Sequence, residues 1–549
     1  MTAFSRLSSR LGFNADDSTF LGAAALALPL AVLPLLQALP SDMDRTAPLA
    51  FCPAAWLLLR RSSPSAGKAE RMDLWLLVAA GIIATATAIF SRQFAANLVL
   101  TCTWIWTAAI GVSSRRLAQS APAIRLVLAG VAAGGCAGLL WTRLQPIAEG
   151  VAFPLYGHAR IFGLHMLLSA AAGLALLVST RTNRTATCIA FAMGAVLWSG
   201  LFWSGSRGPL AGIAAASVIW FWFGSAGERR RLAAWVPVLV LTGILGSHLL
   251  GTQAHYLGWK RVISSTVNTS SIQGFSSDRT SIWSQALGEI SRSPWFGQGA
   301  DSYRFIQPLP VGDQPHNFIL QWVLAFGAPA ALALVVLLGR RIFRGLRGSP
   351  ESHEHIAWQR AAAACLLAAT VGGLFDGVFY HAVAFIPVAL LTGLAGAKLA
   401  VAETSAVPMA GIWRRSGQVS CIAAAVVIGV HAWLFFNLLA PPPSPRAPAA
   451  HVLHAFPSAT YGFWRWIDAW TPSVPVQERI AWLHWAQRHS PQPAIFYYQE
   501  AQCNMEKRDL TAAKNALERA IATSTGSDRS HYAELLRLTE ETIARRNGK

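Results

Sequence analysis

Long apolar runs recur along this chain, and they decide what it can fold into. About thirteen runs, each roughly 17–25 residues and so long enough to cross a bilayer, lie between Phe20 and Ala440. Only 13% of the residues are charged, whereas soluble proteins carry about 25%. The sequence therefore predicts an all-α, polytopic transmembrane helical bundle of about 12 to 13 spans.

Basic residues are distributed unevenly between these runs. They lie ahead of the first run and after every second run, as at Arg6, Arg60, Arg115, Arg229 and Arg340. Because cytoplasmic connections carry an excess of Lys and Arg, the N-terminus is predicted in the cytoplasm and everything after residue 440 outside. The formal net charge of +19 is then a matter of topology, and no nucleic-acid partner is expected.

Three parts follow from this arrangement. Residues 1–19 form a cytoplasmic N-terminus without a small-residue cleavage site, so the first run is predicted to be a retained span. Residues 20–440 form the transmembrane domain, with a large outer loop at 251–315, and residues 441–549 form an outer tail. Six of the seven cysteines lie in or beside apolar runs, so neither a disulfide framework nor a CxxC metal site is expected.

The outer loop contains one amphipathic segment. Ser277 or Asp278 can cap a helix start, and Ile282, Ala286 and Ile290 then recur at helical spacing. Pro294 and two glycines end the segment. We expect a helix that lies over the membrane domain as a lid.

The tail carries a weak internal repeat. Leu483 and Ala486 recur as Leu517 and Ala520, a period of 34 residues, which is typical of tetratricopeptide helical hairpins. The tail is therefore predicted to be a tetratricopeptide-like helical domain of about two units.

Polar residues gather at the outer ends of the predicted spans. Arg207, in the outer turn "WSGSRGPLAG", can bind a phosphate bidentately, or it can snorkel to the interface. Arg279 can pair with the neighbouring Asp278, or it can hold an anion together with the helix start. The choice between these alternatives is open from the residues alone.

One histidine precedes the apolar run of "DQPHNFILQWVLAFGAPAALALVVLL". A neutral imidazole can take a proton from a hydroxyl near neutral pH, so His316 is a candidate general base, although a histidine that caps a helix would look the same. Asn317 can orient His316 or the donor. Asp376 and His381 form either a supporting pair or a helix-end hydrogen bond, and Arg304 is a further supporting candidate.

Several catalytic signatures are missing from the sequence. There is no G-x-x-x-x-G-K-[ST], H-E-x-x-H, G-x-S-x-G or paired-acid metal motif. Neither a cofactor nor a bound metal is expected.

Taken in order, three stretches resemble the O-antigen ligase and polymerase superfamily of bacterial envelopes. They are "SGSRGPLAG", "SDRTSIWSQALGEISRSPWFGQGADSYRF" and "PHNFILQWVLAFG", and the resemblance covers roughly residues 190–400. It implies a metal-independent, inverting glycosyltransferase of the bacterial inner membrane whose active site faces the periplasm.

The resemblance also implies substrates and roles for residues. The donor would be a glycan on undecaprenyl diphosphate, and the acceptor a hydroxyl of lipid A–core. Arg207 and Arg279 match the family's diphosphate-binding arginines, and His316 matches the histidine that activates the acceptor hydroxyl.

Other functions compete with this interpretation. The periplasmic tail is more typical of oligosaccharyltransferases that glycosylate pilins, and of some polysaccharide polymerases, although "GGLFDGVFYH" lacks the E-[FY]-P pattern of pilin ligases. A transporter or a non-catalytic envelope scaffold would be a different class. A transporter is disfavoured because the span interiors are nearly free of charge.

Overall fold

The structure is a computed structural model of the chain. It describes residues 18–36, 68–91, 94–144, 159–180, 184–250, 279–300, 302–305, 314–348, 353–396, 475–489, 494–524 and 526–547, with single positions between 51 and 58, Tyr156 and Gly258. No strand occurs in these ranges. The regular structure in these ranges is entirely helical, as predicted, with turns between the helices.

Thirteen helices before the tail lie within the described residues. They are α1 (Ser18–Leu36), α2 (Lys68–Phe90), α3 (Phe94–Ser114), α4 (Ala121–Leu144), α5 (Ala159–Ser179), α6 (Arg184–Ser204), α7 (Arg207–Phe223), α8 (Ala226–Leu250), α9 (Arg279–Arg292), α10 (Phe318–Phe326), α11 (Ala328–Arg347), α12 (His353–Gly373) and α13 (Ala382–Leu394). Short 3₁₀ helices lie at Leu117–Gln119 and Ser302–Phe305.

Within the described ranges, five helices are long and apolar enough to cross a membrane: α2, α4, α5, α6 and α8. A polytopic helical bundle is thereby confirmed. The count of 12 to 13 spans stays a prediction, because the run near residue 428 lies outside the described residues and the run near 52 is described only at single positions.

Helix α5 lies at the centre of this bundle. Its side chains are buried along almost its whole length, and it packs against α4, α6 and α12. Helix α12 packs in turn on α7, while α2 packs on α11. The start of α5 is therefore surrounded by the ends of other helices.

The apolar run that follows His316 is not one straight span. It is broken at Gly327, whose φ of 82° separates α10 from α11. The backbone N–H of Ala328 donates to the Pro294 carbonyl at 2.8 Å, and that of Gln298 donates to the Leu324 carbonyl at 2.8 Å. These bonds fasten the turn after α9 to the break, and α9 itself packs against α10.

Ion pairs gather at the end of the bundle away from Arg207. The buried carboxylate of Asp73 on α2 contacts three arginines of α11, at 3.0 Å (Arg340 Nε), 2.9 Å (Arg341 Nη2) and 2.7 Å (Arg344 Nη1). Paired charges of this kind avoid the cost of an isolated buried ion.

Glu228 and Arg360 form a second buried pair at the same end, 2.9 Å apart. Arg360 also donates from Nε to the carbonyl of Leu346 at 2.9 Å, which links this pair to α11. The sequence had placed the arginines of α11 and the start of α8 on one side of the membrane, and the structure groups them at one end.

Four helices form the described part of the tail: α14 (Val476–His489), α15 (Ala494–Glu506), α16 (Leu510–Thr523) and α17 (Gly526–Asn547). Each packs on the next. The repeat residues Leu483, Leu517 and Ala520 are fully buried, so the apolar periodicity does build helical hairpins. The tetratricopeptide assignment and the domain boundaries stay predictions.

Candidate active site

Five segments bring polar side chains together at one end of the bundle. Arg160 lies at the start of α5, Arg207 begins α7, and Arg279 begins α9. His316 lies just before α10, and Asp376 lies in the turn between α12 and α13. Three residues that the sequence analysis proposed for the reaction, Arg207, Arg279 and His316, therefore occupy one site.

His316 and Asp376 form a hydrogen-bonded pair. Nδ1 of His316 lies 3.2 Å from Oδ1 of Asp376, which also accepts from the backbone N–H of Gly377 at 3.0 Å. An ionised carboxylate can only accept hydrogen bonds, so the proton between the two groups is on Nδ1, and in a neutral ring Nε2 is then the nitrogen with the lone pair. The pair thus presents the basic nitrogen of the ring away from Asp376.

The Asp376 carboxylate is buried, with 3% of its side chain exposed. Burial raises its pKa, but the hydrogen bond from His316 and the charges of Arg279 and Arg160 outweigh this, so the pKa lies below its usual value. Asp376 is therefore ionised at neutral pH.

Two guanidinium groups contact this pair. Nη1 of Arg160 lies 3.5 Å from Nε2 of His316, and Nη2 of Arg279 lies 3.9 Å from Oδ2 of Asp376. Burial lowers the pKa of Arg279, Asp376 acts in the opposite direction, and the charges of Arg160 and Arg207 lower it further. Arg207 thus lies close enough to Arg279 to act on its charge, and the three arginines give this end of the bundle excess positive charge.

Arg279 is incompletely paired. Its side chain is 12% exposed, and its buried Nε makes no hydrogen bond with any described residue. A buried charged donor without an acceptor is costly. The arrangement can therefore receive an anion with several oxygen acceptors, such as a phosphate.

Backbone geometry places two of these residues. Gly205 has a φ of 62°, and a Cβ there would lie 2.6 Å from the carbonyl oxygen of Gly258, so the turn that delivers Arg207 requires glycine. His316 also has a positive φ, 51°, and Pro315 before it is held because its carbonyl accepts from Nε1 of Trp283 at 2.9 Å.

Asn317 joins two parts of the site. Its side-chain oxygen caps α10 by accepting from the backbone N–H groups of Ile319 and Leu320, at 3.0 and 3.1 Å. Its Nδ2 donates to the carbonyl of Leu374 at 3.1 Å, close to Asp376 in the chain. Asn317 thus fixes the position of the His316 loop relative to the Asp376 turn.

The remaining supporting candidates differ in whether they contact His316. His381 precedes α13, and its Nε2 lies 3.2 Å from Nε2 of Gln314, whereas Asp376 contacts His316 and Arg279. Arg304 lies in the 3₁₀ helix Ser302–Phe305, but its side chain is outside the described part of the structure, as is Asp278.

Arg160 was not singled out from the sequence. Arg160 has the same sequence feature as Arg207. Each is an arginine beside an apolar run on the predicted outer side, where arginines are disfavoured. Within the described ranges, no group of three His, Cys, Asp or Glu residues is arranged to hold a metal ion.

Comparisons with known proteins agree with the motif order. Residues 191–335 match the family model described as "O-Antigen ligase". The O-antigen ligase of Pseudomonas aeruginosa (strain PAO1) is 32% identical over 146 residues, which is 26% of this chain and 31% of the relative, so the match spans about a third of that protein. Arg160 and Asp376 lie outside the family match, which contains Arg207, Arg279 and His316. Both comparisons thus support the O-antigen ligase superfamily for this region, as the sequence motifs predicted.

Proposed function

We propose that the chain is an inverting, metal-independent membrane glycosyltransferase of the O-antigen ligase type. It moves a glycan from undecaprenyl diphosphate to an acceptor hydroxyl at the periplasmic face of the bacterial inner membrane. The observation that carries this proposal is a hydrogen-bonded His–Asp pair in contact with Arg160 and Arg279, with the charge of Arg207 acting on Arg279, at one end of a membrane bundle.

The arginines are proposed to bind the donor diphosphate. Guanidinium groups bind phosphate oxygens bidentately, and Arg279 has a buried Nε without a partner among the described residues. Together with Arg160 and Arg207, it supplies positive charge where the leaving diphosphate becomes more negative. Fixed charges of this kind stabilise a transition state by several kcal/mol.

His316 is proposed to be the general base. Asp376 holds the proton on Nδ1, so Nε2 can accept the proton of the acceptor hydroxyl. The acceptor oxygen forms a bond to the anomeric carbon as the bond from that carbon to the diphosphate oxygen breaks, and the diphosphate takes the electron pair. A single displacement of this kind inverts the anomeric centre.

O-antigen is the favoured glycan and lipid A–core the favoured acceptor, because both matches carry the name O-antigen ligase. The packed helical hairpins of the tail favour a second candidate, in which the acceptor is a pilin-type protein, since helical repeats commonly bind peptides. A growing polysaccharide is a third acceptor with the same chemistry.

The test compares surface polysaccharide on gels from cells that lack the protein. The cells are complemented with wild type, with His316→Ala, or with His248→Ala at equal membrane expression. His248 is an exposed histidine in the last turn of α8 and serves as the matched control. We expect wild type and His248→Ala to restore the ladder of polymer-bearing lipopolysaccharide, and His316→Ala to lose it at least about 10²-fold, the lower range for general-base catalysis.

Two other outcomes have definite meanings. A normal ladder in the deletion strain, with loss of sugar from a pilin, would transfer the proposal to the protein acceptor. Full restoration by His316→Ala would refute the general-base assignment and would favour a non-catalytic scaffold as the function.

A further inference from the structure

A small cavity adjoins the His316 loop. Its polar lining comes from Ser302, Tyr303, Gln314, Gln321 and Tyr380, and Pro315 forms part of the wall. Pro315 directly precedes His316, and Gln314 is bonded to His381. The cavity thus lies beside the proposed base but is built by other residues.

Two hydroxyl groups of this cavity make no hydrogen bond with any residue that the structure describes. The side chains of Ser302 and Tyr303 are 8% and 5% exposed, and neither hydroxyl makes a hydrogen bond with any described residue. The Tyr303 ring is fixed because it packs with Ile282, Ala286 and Leu324, between α9 and α10. Buried polar groups in proteins are almost always hydrogen-bonded. We therefore expect a bound group to form hydrogen bonds with these hydroxyls.

The lining restricts what that partner can be. No Arg, Lys, Asp, Glu or His is among the residues that line the cavity, in contrast to the His316–Asp376 pair, which Arg160 and Arg279 contact. Hydroxyls and carboxamides can both donate and accept, which suits a neutral hydroxyl. The space accommodates about one water-sized group, so a single hydroxyl fits, whereas a whole sugar ring does not.

We propose that this cavity binds one hydroxyl of the acceptor sugar, distinct from the hydroxyl that His316 deprotonates. The inference rests on the proposed function and deepens it. Anchoring one hydroxyl beside Pro315 fixes which of the remaining hydroxyls reaches Nε2 of His316. The cavity therefore selects the acceptor and the position on it that is glycosylated, while the arginines hold the donor.

Tyr303→Phe tests this inference, because it removes one hydroxyl and keeps the packed ring. Purified full-length protein in phospholipid nanodiscs is assayed with O-antigen on undecaprenyl diphosphate as donor and lipid A–core as acceptor. We expect the acceptor KM to rise about three- to tenfold, the equivalent of one neutral hydrogen bond. The donor KM should stay unchanged. Ser302→Ala should act in the same direction.

Tyr498→Phe is the matched control. The Tyr498 hydroxyl lies on α15 of the tail, where it accepts from Nε2 of Gln502, and its loss should leave both KM values unchanged. Thermal unfolding of each variant is measured in parallel. If the hydroxyl of Tyr303 only contacts a trapped water or nothing at all, Tyr303→Phe will raise the Tm or leave it unchanged, and the acceptor KM will not move. That result would overturn the acceptor subsite.

The same assay separates this inference from the proposed function. If wild type transfers glycan and His316→Ala does not, the ligase chemistry stands whatever Tyr303→Phe does. If wild type transfers nothing from the lipid-linked donor, the proposed function fails and the subsite falls with it. An increase in donor KM for Tyr303→Phe would also contradict the inference, because it would place the cavity on the donor side.

Discussion

His316 combines a strained backbone with its proposed chemical role. Its φ of 51° is uncommon for a residue with a Cβ, and such conformations persist where neighbours fix them. Here the neighbours are Trp283, which holds the Pro315 carbonyl, and Asn317, which caps α10 and reaches Leu374. The imidazole is thus positioned by contacts on both sides of it in the chain.

Arg160 offers the sharpest prediction at the scale of single residues. Arg160→Gln keeps much of the side-chain length but removes one of the two cations that contact the His–Asp pair. Since removing one group that stabilises developing charge costs about 10²–10³ in kcat, we expect a loss of that size. Initial rates at saturating donor and acceptor provide the measurement.

Arg143→Gln is the control for that change. Arg143 is an exposed arginine in the last turn of α4, the end that connects to the start of α5. Its replacement should leave the rate within about twofold of wild type, as is usual for surface changes away from a site. Equal losses in both variants would mean that the outer face needs positive charge in general and that Arg160 has no specific role.

Residue by residue, the sequence predicted part of this site. Arg207 and Arg279 are recognisable as candidates because arginines are uncommon on the outer side of a membrane protein. His316 is recognisable because a histidine directly before an apolar run lies at the membrane surface. The contact of Asp376 with His316 could not be predicted, since the two are far apart in the chain and only the packing of α10 against the turn after α12 brings them together. Spacing along the chain carries no information about such a contact.

At the scale of elements, the break between α10 and α11 couples the loop helix to the bundle. Gly327 has a φ of 82°, and a Cβ at this position would collide with the backbone carbonyl of Trp295. The sequence predicted one continuous span here, because hydropathy does not register a single glycine within an apolar run. The signal was present in "FGAP", since Gly327 is followed by Ala328 and Pro329, and a proline is favoured in the first turn of a helix.

Gly327→Ala should therefore disturb both stability and activity. With φ 82° and ψ 165°, Gly327 lies in a backbone region almost restricted to glycine, which costs a residue with a Cβ on the order of 1–3 kcal/mol, and the collision must also shift the turn that holds α9. We expect a lower Tm in nanodiscs and a reduced transfer rate, because Arg279 at the start of α9 moves relative to His316.

Gly339→Ala is the matched comparison within α11. A Cβ at Gly339 meets nothing within 4 Å, and alanine is favoured over glycine inside a helix by up to about 1 kcal/mol. Its Tm should be equal to or higher than that of wild type, with unchanged activity. A normal Tm and rate for Gly327→Ala would show that the break is not needed to place the loop helix.

At the scale of the whole molecule, the polar groups form two separate sets. The arginines of α11 and the pair Glu228–Arg360 lie at one end of the bundle, and the site of His316 lies at the other. Charge counting along the sequence predicted that these sets face opposite sides of the membrane. Hydropathy and the distribution of basic residues are sufficient to predict two polar ends of the bundle, because the bilayer requires apolar spans and favours basic residues on its cytoplasmic side.

Two exposed glycines allow this orientation to be measured. Gly227 at the start of α8 and Gly288 on α9 both have open space around a built Cβ, so Gly227→Cys and Gly288→Cys should fold normally in a background without the seven native cysteines. A membrane-impermeant maleimide added to intact spheroplasts should label Gly288→Cys within minutes. Gly227→Cys should react only after the membrane is permeabilised.

The opposite labelling pattern would invert the topology and place the His316 site in the cytoplasm. Equal labelling of both positions before permeabilisation would show that the two polar sets do not lie on opposite sides. Either result would contradict the periplasmic location proposed for the reaction.

The residues of the site come from five separate segments of the chain, and this has a consequence for biogenesis. Its five groups enter the membrane one after another during synthesis, and the Asp376 turn arrives last, after α12 has been inserted. No shorter nascent chain holds an oriented His316 beside all three arginines. The order of the segments along the chain therefore leaves the site incomplete until synthesis has passed α12, and the chemistry proposed for His316 begins only after that point.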